Sequence, residues 1–311
     1  MDLAQAILLT VVTASTPLLL ASLGELVAER SGVLNLGVEG MMIIGASIGF
    51  ATAFTTGNAA VGIVAAVLAG MALSALFALM TLGLAANQVA SGLALTILGV
   101  GLSGLIGEGF VGQRRDAIPK LYIEDLSDIP LVGPVLLGQD AIVYASLALV
   151  AGVWWFLYRT RGGLVLRAVG DSHGSAHALG YNVRIIRLCA VLFGGGCAGL
   201  AGAYLSLAYT PFWVTGMTAG RGWIALALVV FASWLPARLL VGAYLFGAIS
   251  IGQLHLQAIR SDLPDWLELP SQFWTALPYL ATIAVLVVIS ASKARGGAAP
   301  ASLGTPFVPD R

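Results

Sequence analysis

Residues 29–42 read ERSGVLNLGVEGMM and set Glu29, Arg30, Asn35 and Glu39 at the lip of an apolar run. An ionised side chain in the hydrocarbon layer costs on the order of 3 kcal/mol on insertion scales, so each such group needs a partner or a task. Glu25 and Glu29 are four residues apart and share a helical face, as do Asn35 and Glu39. Gly32, Asn35 and Gly37 predict a break in the helix. Irregular backbone at membrane depth is tolerated where it lines a cavity or is buried in protein. Two roles stay open. Asn35 and Glu39 face a translocation path and hydrogen-bond a neutral polar solute, or Glu39 locks two helices while Glu29 and Arg30 pair at the interface.

Three further stretches carry polar chemistry. Asn87, Gln88 and Ser91 open the run NQVASGLALTILGVGLSG. Their amides and hydroxyl suit a neutral hydrogen-bonding solute, or equally helix-to-helix bonds. In TPFWVTGMTAGRGW, residues 210–223, Pro211, Gly216, Gly220 and Gly222 argue against a regular helix, and Phe212, Trp213 and Trp223 supply flat apolar surfaces. Trp213 is either an interfacial belt residue or a stacking platform at an outer gate. Arg221, beside the membrane, needs a partner. The segment 159–188, RTRGGLVLRAVGDSHGSAHALGYNVRIIRL, is basic, with small and apolar contacts at Ala168, Ala176, Ala178, Leu179 and Val183. Asp171 and Ser172 offer N-cap chemistry and Gly180 a helix stop, which predicts a short helix lying across the membrane face. It docks a partner, or the segment is a loop that only fixes topology. His173 and His177 are four apart, with no third metal ligand in sight.

The elements that must position these groups are membrane spans. The chain is 59% hydrophobic and 10% charged over 311 residues, against about 25% charged in ordinary soluble domains. Its apolar runs reach the length of about 20 residues that a span needs, and they do not alternate as barrel strands do. The expected fold is an all-α polytopic membrane protein, a bundle of about nine transmembrane helices with some broken or re-entrant. The expected spans are 3–23, 37–56, 60–82, 88–107, 140–158, 186–208, 222–236, 238–256 and 273–291. The seventh is short enough to be a half-span. Residues 1–292 form one transmembrane domain, and the Gly/Ala/Pro-rich 293–311 is expected to be a flexible tail.

Basic residues orient the bundle. Arg30, Arg159, Arg161, Arg167, Arg184, Arg187, Arg238, Lys293, Arg295 and Arg311 share one side if spans alternate, which is ten of the 15. That side is expected to be cytoplasmic, with the N-terminus outside. Cys189 and Cys197 are eight apart in one run and read as small buried hydrophobes. Small residues at Gly45 and Gly49, and at Gly195, Gly199 and Gly202, suit close helix approach. No zinc, redox or nucleotide-binding motif appears, and no clustered acid–base or nucleophile set that an enzyme needs.

LRAVGDSHGSAHALGYNV followed by GGGCAGLAGAY resembles the coupling-helix region of ABC-importer permeases of the branched-chain amino acid and ribose permease superfamily. ERSGVLNLGVEGMMIIGA, NQVASGLALTILGVGLSG and GMTAGRGWIALALVVFASWLPARLLVGAYLFG are similar to its nucleoside and simple-sugar group. The four blocks span residues 29–247. The resemblance implies a permease subunit without its own ATPase site or cofactor, ATP and Mg being bound by partner subunits. Two ATP-binding subunits would dock through Arg167, Ala168, Gly170, Asp171, Ala176 and Gly180. A second permease chain, a different paralogue, would pair in the membrane lipid. A substrate-binding lipoprotein or periplasmic protein would deliver the solute, a nucleoside first and a simple sugar next, with Trp213 stacking on a nucleobase. The site is the bacterial-type cytoplasmic membrane, and no nucleic acid is among the partners. The alternative is an ion-coupled secondary transporter with Glu39 as its membrane carboxylate, which would also want inverted repeats.

Overall fold

The computed structural model describes residues 3–121, 137–258 and 298–308, with parts of 272–287. Ten α-helices occur among them: α1 Leu3–Arg30, α2 Val38–Thr56, α3 Ala59–Ala78, α4 Gln88–Gly107, α5 Ala141–Arg159, α6 Arg161–Asp171, α7 His173–Ala178, α8 Val183–Tyr204, α9 Arg221–Phe231 and α10 Pro236–Ala258. Extended pairing among the described residues is limited to isolated bridges such as Arg114–Phe212. Single π-helical turns, Leu79–Gly83 and Leu205–Tyr209, extend α3 and α8.

Seven of these helices are long and apolar enough to span a membrane, so the chain is a multi-pass helical membrane protein. The seventh run, expected over 222–236 and short enough to be a half-span, is an 11-residue helix, α9. It rises only about 16 Å against a hydrocarbon core of about 30 Å, so it is a half-span. It ends where Ser233 and Trp234 take positive φ. The expected span over 273–291 falls largely outside the described residues. The first span does not stop near 23. It runs on to Arg30 because Glu25, Glu29 and Arg30 all find partners inside the protein, as described below.

Residues 15–33 and 38–47 are buried all round, so α1 and α2 form the centre of the bundle with α8 packed between them and α3. The helices meet at glycines. A Cβ on Gly45 of α2 would fall 2.6 Å from the Cα of Gly199 on α8, so any side chain there forces the two backbones apart. Outside this centre, α3, α4, α5 and α10 expose large apolar side chains, Ile97 at 74% and Leu105 at 71% among them. Such faces suit lipid or a partner helix rather than water.

The face where α1 ends and α2 begins also carries α6 and α7, and is called the basic face below. Over 298–308 the tail lies against this face. Ser302 N–H donates to Gly170 O at 2.9 Å and Gly304 N–H to Gly32 O at 3.2 Å. Phe307 packs among Val169, Ala176 and Val183.

Candidate functional site

Between α1 and α2 the chain turns through residues 31–37 without regular structure. Buried backbone of this kind must still have its donors and acceptors paired, and side chains of other helices supply the partners. Leu34 N–H donates to Gln88 Oε1 at 2.8 Å, Asn35 N–H to Glu25 Oε1 at 2.9 Å, and Gly37 N–H to Asn35 Oδ1 at 2.9 Å. Thr96 Oγ1 donates to Leu36 O at 3.0 Å. Asn35 is thus a turn-former, its Oδ1 turned back on its own loop two residues on. Gln88 and Ser91 lie on the buried face of α4. The Gln88 Nε2 amide is buried with no hydrogen-bond partner.

Glu39 performs a different task. Its carboxylate accepts from Thr218 Oγ1, from Gly220 N–H at 2.9 Å and from Gly222 N–H at 2.6 Å. These are the open donors at the N-terminus of α9, where the helix dipole favours a negative charge. Gly220 itself is left-handed and offers no side-chain cap, so a residue 181 positions away caps α9. At the other end of α9, Trp234 Nε1 donates to Glu29 Oε2, and Arg30 Nε and Nη2 donate to Trp234 O at 3.1 and 2.9 Å. The half-span is therefore clamped at both ends by the carboxylates and guanidinium that opened the sequence reading.

The remaining path candidates lie elsewhere. Asn87 is exposed and caps α4, its Oδ1 accepting from Ala90 N–H at 3.0 Å. Trp213 is neither a belt nor an open platform here. It is fully buried among Ile43, Phe50, Ala203 and Leu207, with its indole N–H unpaired. Tyr209 is half-buried, and the Arg221 guanidinium lies over its ring at 5.7 Å.

On the basic face the expected single short helix is two. Asp171 closes α6 rather than capping its successor, and Ser172 Oγ caps α7 by accepting from Ser175 N–H at 3.3 Å. Gly180 takes φ 87° just beyond α7, the left-handed stop that a side chain would strain. Ala168, Asp171 and Gly180 are exposed, and Gly170 and Ala176 are buried. Gly170 is pressed so closely onto the Arg30 carbonyl that a Cβ has no room. The Arg167 guanidinium lies over the Tyr158 ring at 4.9 Å. Leu179, at the tip, is 78% exposed.

One residue joins the basic face to the broken turn. Arg187 is fully buried. Its Nε donates to Ser31 O and its Nη1 to Thr305 O, both at 3.1 Å, and its Nη2 lies 3.4 Å from His173 Nδ1. Burial first, and the Arg187 charge second, lower the His173 pKa from its ordinary value. The His173 and His177 rings meet the Phe307 ring edge-on at 5.4 and 5.3 Å. The sequence reading counted Arg187 among the topology-fixing charges. The cue to more was its place at the head of an apolar run.

Seven long apolar helices, a short helix seated on a buried carboxylate and a helical bracket on one face make this a polytopic helical membrane protein. The chain belongs to the family described as branched-chain amino acid transport system / permease component, which matches residues 7–288. It is 45% identical to a putative glucose ABC transporter permease protein of Haloferax volcanii over 92% of both chains. It is 34% identical to a guanosine ABC transporter permease protein of Bacillus subtilis over 88% of both chains. It is 31% identical to a nucleoside ABC transporter permease protein of Lactococcus lactis over 91% of this chain and 92% of the relative. No solved structure matches it. The chain is accordingly an ABC-type permease.

Proposed function

We propose that this chain is the permease subunit of an importer for a neutral polyhydroxylated solute, with a simple sugar first and a nucleoside second. The motif resemblance by itself ranks the nucleoside first. The 45% identity to a relative named as a putative glucose permease supports the sugar instead, and the 34% and 31% relatives keep the nucleoside as the second reading. Family membership favours this reading over an ion-coupled transporter. Glu39, the carboxylate that alternative would use, is engaged by three donors of the 218–222 turn.

The observation that carries the reading is the link from α6–α7 through Arg187 to the broken turn. ATP-binding subunits, which hold ATP and Mg, dock on the basic face around Ala168, Asp171, Leu179 and Gly180. Their movement reaches Ser31 through Arg187, and so the turn that Glu25, Gln88 and Thr96 hold. The basic face is cytoplasmic, the N-terminus is outside and the C-terminus is inside, in a bacterial-type cytoplasmic membrane. A second permease chain, a different paralogue, completes the path, and a lipoprotein or periplasmic binding protein delivers the solute from outside. Gln88 contributes its free amide N–H to the path with Ser91 beside it, while Asn35 and Glu39 hold the architecture.

The test is solute-stimulated ATP hydrolysis by the chain co-reconstituted with its partner subunits in proteoliposomes, against glucose, pentoses, nucleosides and branched-chain amino acids. Stimulation by glucose is expected. Stimulation by guanosine alone supports the second reading, and stimulation by an amino acid alone overturns both.

A further inference from the structure

We infer that the recess between α1, α9 and α10 is a solute-binding station inside the membrane, taking a neutral ring that carries hydroxyl or amide groups. This deepens the permease reading above and rests on it. The recess has a volume of about 290 Å³ and is lined by Leu18, Tyr209, Arg221, Phe246, Ser250 and Gln253, among others. Binding cavities for drug-sized molecules run from roughly 300 to 1,000 Å³, so this one suits one or two small rings.

Its depth follows from the helices. Leu18 stands about 18 Å along α1 from Arg30, at 1.5 Å per residue, near the middle of a hydrocarbon core of about 30 Å. Arg221 opens α9, and α9 is about 16 Å long with its far end tied to Glu29 and Arg30 through Trp234. The guanidinium therefore lies at mid-membrane. An ionisable group at that depth marks a polar path or cavity.

The chemistry of the walls selects the ligand. Gln253 Oε1 is buried and accepts no hydrogen bond, so it awaits an O–H or N–H donor. Ser250 supplies a hydroxyl. Arg221 spends Nη1 on Met217 O at 3.0 Å and lies over Tyr209, leaving donor capacity in a five-donor fork. Leu18 and Phe246 present apolar faces to the C–H side of a ring. No carboxylate lines the recess among the described residues. The Arg221 charge is instead offset by Glu39, which is held by the N–H groups of Gly220 and Gly222, its two chain neighbours. A balanced pair favours an uncharged ligand. An anion would add to the Glu39 charge, and a cation would oppose Arg221.

The test places a thiol in the recess of the assembled transporter. In a variant with Cys189 and Cys197 replaced by alanine, Ser250→Cys is labelled with a small thiol reagent in proteoliposomes, with glucose or guanosine as the protecting solute. One of the two is expected to slow labelling. Adding Gln253→Leu should raise the half-protecting concentration about three- to tenfold, the worth of one neutral hydrogen bond, and Arg221→Gln about tenfold or more. If Arg221→Gln fails to co-purify with the ATP-binding subunits, Gln253→Leu carries the test. Labelling indifferent to both solutes, in vesicles that import one of them, overturns the station and leaves the permease reading standing. Labelling blocked until lipid is stripped away makes the occupant an acyl chain or headgroup and likewise overturns it. Vesicles that import neither solute, with ATP hydrolysis unmoved by either, bring down the permease reading itself.

Discussion

Arg187 spends its guanidinium on two carbonyl oxygens and a histidine, with no carboxylate among its hydrogen-bond partners. A buried charge so held serves geometry: a planar fork reaches Ser31 and Thr305 at once, which a lysine head cannot do. Arg187→Lys and Arg187→Met are both expected to lower the unfolding midpoint in detergent and to reduce co-purification of the ATP-binding subunits. Each buried carbonyl left unpaired costs about 1–3 kcal/mol. An unchanged midpoint with intact assembly would remove the hub. Glu39 makes the complementary argument. Glu39→Ala strips the cap from α9 and exposes the 214–220 backbone to protease, with uptake lost. Glu39→Gln retains an acceptor oxygen but not the charge-assisted strength, and should fall between wild type and alanine. Normal stability in Glu39→Ala combined with altered solute preference would instead return Glu39 to the path. The polar turn announced itself in the sequence because ionisable residues in an apolar run need a reason. Which reason applied was not legible, since Gly220 and Gly222 meet Glu39 only after the chain folds back over some 180 residues.

At the scale of elements, the tail and α7 form one unit. Its contacts are largely backbone hydrogen bonds and one ring, so a Gly/Ala/Pro-rich composition reads as disorder although residues 300–307 are placed. The α7 cap and its Gly180 stop were legible because they depend on residue type alone. The station on Tyr209, Arg221 and Gln253 was not, because its parts come from three separate elements. Phe307→Ala is expected to leave the protein in the membrane while raising the labelling of a cysteine at Thr305. The same labelling, normalised to a fully exposed cysteine, should rise as the pH falls. The His173 pKa is lowered in the folded state, so the docked tail prefers the neutral ring. That preference stabilises the contact above the ordinary value near 6.5 and is lost as the pH drops through it. The Arg187 guanidinium, 3.4 Å from the His173 ring, adds to the repulsion. Labelling that is flat from pH 7.5 to 5.5 would exclude His173 from the contact. Gly180→Arg, which forces a side chain into left-handed backbone, should abolish transport without loss of membrane insertion. Normal uptake by it would end the docking role of α7.

For the whole molecule, direction of transport depends on which face meets the cytoplasm, and the helices alone do not decide it. The argument is electrostatic. Arg159, Arg161, Arg167, Arg184 and Arg238 gather on the face of α6 and α7, and basic residues are retained on the cytoplasmic side. The same face carries the exposed Leu179 tip, which lies outside the seven candidate spans. Charge and exposed apolar surface thus both support the proposed docking face. A cysteine at Asn58, between α2 and α3 on the opposite face, should react with an impermeant thiol reagent in intact cells. A cysteine at Ser175 on α7 should react only after the membrane is opened. Both belong in a chain whose Cys189 and Cys197 are alanine. The reverse pattern would put α6 and α7 outside, where no ATP-binding subunit can reach them, and would overturn the orientation and the coupling mechanism together. The expected pattern keeps the link from α7 through Arg187 to the broken turn as the hydrogen-bonded route by which a cytoplasmic subunit on that face would reach the centre of the bundle.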